Sequence, residues 1–116
     1  MSGFEPGARF YMTDYKIVLT TTDSLEAAQR VAHSLVEQRL AACVNIIPGI
    51  QSIYRWKNKV EQAAEWLLVV KTQKSSLREL EEVIKKLHSY DVPEFIAVSI
   101  DSGSSPYLLW LADSLK

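Results

Sequence analysis

Seven consecutive residues in the C-terminal part of the chain carry the side chains best suited to binding a cation. The segment His88-Ser89-Tyr90-Asp91-Val92-Pro93-Glu94 offers an imidazole, a phenol and two carboxylates. Nitrogen and oxygen donors of this kind suit Cu(II) or another divalent cation such as Zn(II), so His88 and Glu94 are candidate metal ligands. A structural role competes with this one, because His88 ends a predicted helix whose dipole favours a protonated imidazole.

The single cysteine, Cys43, is the third candidate metal ligand. It lies between Ala42 and Val44 in a predicted strand, where a free cysteine is more often a small buried hydrophobe than a ligand. No CxxC or HxxxH spacing accompanies it, so the local metal signal is weak. A lone cysteine excludes an intrachain disulfide and favours a reducing, cytoplasmic location.

Two aromatic residues, Tyr54 and Trp56, lie on one face of a predicted strand. Aromatic residues at this spacing favour a core or a subunit interface, and we expect an interface. Lys71 ends a buried strand, where it could reach solvent or present its charge to an anionic ligand. Glu61 could pair with Lys71 or with a lysine of a neighbouring subunit.

The elements that position these residues follow the order β-α-β-β-α-β, with an extra C-terminal helix. We expect residues 1–14 to form an irregular leader and residues 15–116 to form one domain. Capping boxes are predicted at Asp23 with Glu26 and at Ser76 with Glu79. Pro48-Gly49 predicts a bulge in the first strand of a long hairpin. The predicted elements are strands over 16–22, 41–56, 60–72 and 95–100, and helices over 24–39, 76–88 and from 105 onward.

This order predicts an α+β fold, the ferredoxin-like sandwich, with both inner helices on one face of the sheet. The other face has no cover within the chain, although the run Trp66–Val70 places apolar groups on both faces. We therefore expect self-association.

Composition narrows the classes of partner. The 116 residues carry a net charge of −1, which gives no broad positive field for nucleic acid. No apolar run approaches the roughly 20 residues needed to span a membrane. The chain lacks the phosphate loop of an acylphosphatase, the aromatic RNA-binding pattern of an RRM, and a recognisable catalytic set. We expect a protein that is not an enzyme and that binds neither nucleic acid nor membranes.

Several separated motifs together resemble the CutA divalent-cation tolerance family. They are LAACVNIIPGIQSIYRWKNKVEQ, EWLLVVKT, HSYDVPE and PYLLWL, and the similarity runs from about Tyr15 to Trp110. The resemblance implies a homotrimer of ferredoxin-like subunits, with hairpins that pair across neighbours, and a link to copper and other divalent cations. It also implies that intersubunit clefts lie near the following residues: Tyr54, Trp56, Glu61, Lys71, His88, Tyr90 and Glu94.

The family's trimer is similar in architecture to PII signalling proteins. A trimer that binds a small ligand or a partner, without a metal site, is therefore the alternative function. This chain also departs from some bacterial members of the family, which have a cysteine where it has Thr20 and a histidine where it has Leu87. These departures leave only part of the metal-ligand set that the resemblance implies.

Overall fold

The computed structural model describes residues 14–116, which form a four-stranded antiparallel sheet in the order β2-β3-β1-β4. The predicted leader, apart from Asp14, lies outside the described residues. The ferredoxin-like α+β sandwich with an added C-terminal helix is confirmed. Its elements are β1 (Tyr15–Thr22), α1 (Leu25–Glu37), β2 (Cys43–Trp56), β3 (Lys59–Gln73), a 3₁₀ turn (Lys74–Ser76), α2 (Leu77–Leu87), β4 (Ile96–Ser99) and α3 (Ser105–Ser114).

The main core lies between one face of the sheet and the helices α1 and α2. Val18, Leu68 and Val70 share that face because Val18 is directly opposite Val70, and Leu68 lies two residues before Val70. Apolar residues at helical spacing on α1 and α2 pack against them. The helical members of this core are Ala28, Val31, Leu35, Leu80 and Ile84.

The opposite face of the sheet, here called the open face, is apolar and only partly covered. Ile47, Ile96 and Val98 are 42%, 50% and 45% exposed on it. The strand register places four further half-buried side chains on the same face. These are Ile17, Leu19, Leu67 and Val69. The predicted uncovered face is therefore present in the single chain.

The predicted bulge at Pro48-Gly49 is confirmed, and it decides which way the end of the hairpin faces. Ile47 pairs with Leu67 and Ile50 with Glu65, so two residues of β2 oppose one residue of β3. Gly49 has a φ of 77°, which a residue without a side chain adopts freely. The extra residue resets the alternation of β2, and the next even-numbered residues therefore point to the open face.

The two predicted capping boxes are wrong in detail. The side chain of Ser24, not Asp23, caps α1 by accepting a 3.0 Å hydrogen bond from the amide of Ala27, because the helix begins one residue later than predicted. Ser76 makes no side-chain cap bond. It belongs to the 3₁₀ turn, and its backbone is already helical, with φ −95° and ψ −9°.

The C-terminal helix α3 begins after Ser104, whose hydroxyl accepts a hydrogen bond from the amide of Tyr107. Its buried Leu111 forms a second, smaller core with Ala42 and Leu115. None of the helices within residues 14–116 is long and apolar enough to cross a membrane.

Candidate functional site

A cavity of about 660 Å³ lies where the hairpin leaves the sheet. Strand β2 contributes Tyr54 and Trp56, and the loop between α2 and β4 contributes Tyr90 and Glu94. These four predicted site residues are therefore brought together. The remaining lining residues are Thr21, Ser52, Ile53, Glu65, Ser89, Asp91 and Val92.

Glu65 is the buried charged group of this cavity, with only 6% of its surface exposed. It faces the cavity because it pairs with Ile50 immediately after the bulge, in phase with Tyr54 and Trp56. The hydroxyl of Tyr90 donates a 2.7 Å hydrogen bond to Glu65 Oε2. Burial, together with this hydrogen bond and the nearby charge of Glu65, raises the pKa of Tyr90 well above its usual range, so Tyr90 stays a donor.

Glu94 is a carboxylate whose ionisation the cavity disfavours. Desolvation raises the pKa of Glu94, and the charge of Glu65 raises it further. No lysine, arginine or histidine belongs to the described lining. The cavity therefore presents negative charge without a basic side chain to balance it.

His88 lies beside the cavity and holds its loop in place. The amide of Tyr90 donates to His88 Nδ1 at 3.0 Å, so the ring proton belongs on Nε2, which donates to the carbonyl of Thr21 at 2.5 Å. The rings of His88 and Tyr90 also contact each other, with centroids 4.7 Å apart and ring planes tilted by 47°. Both ring nitrogens are thus engaged by backbone, and a metal ion would have to displace one of these bonds.

Cys43 and Lys71 lie at the opposite end of the sheet from the cavity. They are directly opposite each other on β2 and β3, with Lys71 Nζ 4.0 Å from Cys43 Sγ. Lys71 also donates a hydrogen bond to the side chain of Asn45. Thr21 lies at the cavity end of β1 and Ile17 beside Lys71, and the four residue steps between them span roughly 13 Å.

Glu61 lies on the hairpin opposite Tyr54, outside the cavity lining. The predicted pairing of Glu61 with Lys71 inside one chain is wrong. Ten residues of β3 separate them, a distance of roughly 33 Å along an extended strand. The pairing with a neighbouring subunit's lysine stays a prediction.

Residues 14–116 contain no group of three or more His, Cys, Asp or Glu side chains arranged to hold a metal ion. A single chain brings Glu94 to the cavity and His88 beside it, whereas Cys43 lies elsewhere. The side chain of Thr20, at the position where some relatives have cysteine, is completely buried on the face that carries Val18. It therefore points away from the open face and the cavity.

The sequence reasoning missed Glu65, Thr21 and Ser52. Glu65 had a visible signal, because it is a charged residue directly before the buried run Trp66–Val70. The direction of the Glu65 side chain depends on the bulge. The sequence predicted the bulge but not the strand register that follows it. Thr21 carries no sequence signal, since it reads as an ordinary strand residue.

The fold and the cavity together define a ferredoxin-like domain with an acidic, aromatic binding cavity at the base of a long hairpin. A family model described as CutA1 divalent ion tolerance protein matches residues 16–114. The chain belongs to this family.

Relatives from plants and bacteria agree with this assignment. The divalent-cation tolerance protein CutA of Thermus thermophilus is 48% identical over 99 residues, which cover 85% of this chain and 96% of that protein. The chloroplastic protein CutA of Arabidopsis thaliana is 47% identical over 100 residues, covering 86% of this chain and 55% of the relative. The chain thus spans about half the length of the curated plant relatives that it matches.

The same fold is found in solved structures. The divalent cation tolerance protein (Cut A1) from Thermus thermophilus superposes with a TM-score of 0.86 at 47% identity, covering 88% of this chain and 99% of that one. The crystal structure of CutA1 from Oryza sativa gives a TM-score of 0.86 at 47% identity, with coverage of 88% and 94%. The family match favours cation tolerance over the PII-like alternative.

Proposed function

We propose that this protein acts in divalent-cation tolerance as a cytoplasmic homotrimer that binds a divalent metal ion and catalyses no reaction. The observation that carries the proposal is the CutA1 divalent ion tolerance family match over residues 16–114. The relative from Thermus thermophilus carries the same description along almost its whole length.

Cu(II) is the ion we expect to bind best. Divalent copper binds a given set of nitrogen and oxygen ligands more tightly than nickel or zinc. Glu94 is the ligand candidate that faces the acidic cavity, with Glu65 as a second carboxylate beside it. Since one chain supplies no complete ligand set within residues 14–116, water or a neighbouring copy would complete the coordination.

The homotrimer part of the proposal is supported by the open face. Seven apolar side chains remain partly or substantially exposed there in the isolated chain. Contiguous apolar surface of this kind marks an interaction site, and a second copy of the same chain is its simplest cover. The number three follows from the resemblance to the CutA family.

The direct test is calorimetric titration of metal-stripped protein with Cu(II), Ni(II) and Zn(II). We expect saturable Cu(II) binding that Glu94→Gln weakens at least tenfold, because the substitution removes an anionic oxygen ligand. Cys43→Ser should leave it unchanged, because Cys43 lies beside the cationic Lys71 at the far end of the sheet. His88→Gln should have a smaller effect than Glu94→Gln, since both its ring nitrogens already have partners.

A different outcome would place the metal site on other residues. Cu(II) binding that survives Glu94→Gln and disappears in Cys43→Ser would place the metal on the thiol. Glu82→Gln is the matched control, because Glu82 is an exposed carboxylate on α2 outside the cavity lining.

A further inference from the structure

The cavity at the base of the hairpin has the size of a small-molecule site. Its volume of about 660 Å³ lies inside the range of roughly 300–1,000 Å³ that is typical of ligand pockets. A single metal ion with its ligands would occupy a small part of it. The dimensions therefore leave room for an organic molecule.

The charge in the cavity favours a cationic occupant. Glu65 is more than nine-tenths buried, and within residues 14–116 its side chain accepts one hydrogen bond, from the neutral hydroxyl of Tyr90. The ion pairs recorded within residues 14–116 are Lys85–Glu81 and Lys116–Glu79, and neither involves the cavity. A buried carboxylate without a cation carries a desolvation cost that a positively charged ligand would offset.

The aromatic walls of the cavity also suit an organic cation. Tyr54 and Trp56 lie two residues apart on one strand face, so their backbones are separated by roughly 7 Å. Both are 44% exposed, and Tyr90 lines the cavity with them. Aromatic rings attract weakly hydrated ammonium groups through the negative charge of their faces, most strongly for tryptophan. A divalent ion held tightly by water gains little from such walls.

We infer that this cavity binds a small organic cation with an ammonium group, which Glu65 and Glu94 neutralise while Tyr54, Trp56 and Tyr90 contact its carbon atoms. The inference goes beyond metal tolerance, because it concerns a ligand class that needs no coordination sphere. Ser52 and Thr21 add short hydroxyl side chains to the same lining, which can hydrogen-bond a polar group elsewhere on the ligand.

The test compares choline with its neutral carbon isostere, 3,3-dimethyl-1-butanol, on the metal-stripped full chain. The two probes have nearly the same shape and differ in charge. Binding is measured by calorimetry and by tryptophan fluorescence, with Trp56→Leu showing how much of the signal comes from Trp56. We expect choline to bind at least tenfold more tightly than the alcohol, and Glu65→Gln and Trp56→Leu each to weaken choline at least tenfold.

Two variants serve as controls, and a third replaces Glu65→Gln if that variant does not fold. Glu82→Gln and Trp110→Leu change a carboxylate and a tryptophan outside the lining, and choline binding should stay at the parent's level. If Glu65→Gln fails to fold, Glu94→Gln tests the role of negative charge by removing another carboxylate of the cavity, at a more exposed position. Circular dichroism of each variant confirms that it is folded.

Several results would overturn the inference. Equal affinity for choline and the alcohol would show that charge plays no part. If the folded parent did not bind choline, the cavity would be excluded as a site for organic cations. The same would follow if both Glu65→Gln and Glu94→Gln left choline binding unchanged. Because metal is removed in these experiments, their failure leaves the Cu(II) titration of the proposed function untouched, and failure of that titration leaves this one untouched.

Discussion

The hydroxyl of Thr20 is buried in the core without a hydrogen-bond partner among residues 14–116. A buried hydroxyl that has lost its bonds to water costs about 1–3 kcal/mol. Thr20→Val keeps the shape of the side chain and removes that cost. We expect the variant to be more stable by about 1 kcal/mol, measured as the urea midpoint at fixed protein concentration.

Thr72→Val is the matched counterpart of this change. Thr72 is equally buried, but its hydroxyl donates a 2.6 Å hydrogen bond to the carbonyl of Leu40. Its replacement should lower the free energy of unfolding by about 1 kcal/mol. If both valine variants shifted stability in the same direction, the difference in hydrogen bonding would not be the cause.

Glu94 makes the stability of the fold depend on pH. Burial and the charge of Glu65 raise the pKa of Glu94 above its ordinary value of 4.5, so the folded state holds this proton more tightly than the unfolded chain does. Stability therefore falls as pH rises from about 4.5 to the raised pKa. Glu94→Gln removes this dependence.

We expect the gain in stability of Glu94→Gln over the parent to be larger at pH 7 than at pH 4. At pH 4 Glu94 is mostly protonated in both the folded and the unfolded state. Denaturant midpoints of metal-free protein at the two pH values measure the difference. Glu82→Gln should follow the parent at both. A Glu94→Gln variant that lost stability at pH 7 would show that the ionised carboxylate is favoured in the fold.

At the residue scale, four of the eleven residues that line the cavity were predicted site residues. Tyr54, Trp56, Tyr90 and Glu94 were found because aromatic and acidic residues stand out in a strand or a loop. Glu65 was missed because its role depends on long-range pairing with Ile50, a contact set by the bulge and not by local composition. Cys43 shows the reverse case, in which a chemically suggestive residue lies far from the other candidates.

The hairpin between β2 and β3 turns within two residues, and both have positive φ. Lys57 has a φ of 50° and Asn58 a φ of 66°, the conformation of a tight hairpin turn that matches the strand twist. Asn adopts this left-handed conformation more readily than most residues with a side chain. A β-branched residue would be strained there.

Asn58→Val should weaken the end of the hairpin by about 1–2 kcal/mol, because a β-branched residue, unlike Asn, is strongly disfavoured in the left-handed region. Hydrogen exchange of the amides between residues 53 and 62 should become faster, while the core strands keep their protection. Asn58→Gly is the control and should leave exchange unchanged or slower. Unchanged exchange in Asn58→Val would mean that the turn conformation contributes nothing to the hairpin.

The types and order of the helices and strands could be predicted well from the sequence. The residues at which they begin and end could be predicted less well. Alternation, helical spacing and turn residues are local signals, so all four strands and three helices in residues 14–116 were predicted in order. The start of α1 was displaced by one residue because Asp23 and Ser24 are adjacent and both can cap a helix. The 3₁₀ turn before α2 has no comparable local signal.

The open face is the surface through which we expect the whole molecule to self-associate. Val98 is 45% exposed on β4 and lies directly opposite Ile17. A glutamate at position 98 would bury charge in any interface formed there. Sedimentation equilibrium should give three times the 13.1 kDa chain mass for the parent and the chain mass itself for Val98→Glu.

Leu25→Glu is the control for this experiment. Leu25 is 41% exposed at the start of α1, where a negative charge is favoured by the helix dipole. The Leu25→Glu variant should therefore give the same molecular mass in sedimentation equilibrium as the parent. A parent that stayed monomeric at micromolar concentration would exclude the homotrimer.

The bulge at Pro48-Gly49 has a consequence for aggregation as well as for the cavity. Strand β2 is an edge of the sheet in this chain, and fourteen residues of unbroken flat edge would be a template on which foreign strands could add. Proline has no amide hydrogen to offer such a strand, and the kink divides the edge into runs of five and seven residues, 43–47 and 50–56. The feature that turns Tyr54 and Trp56 toward the cavity should thus also make this edge a poorer template for the addition of foreign strands.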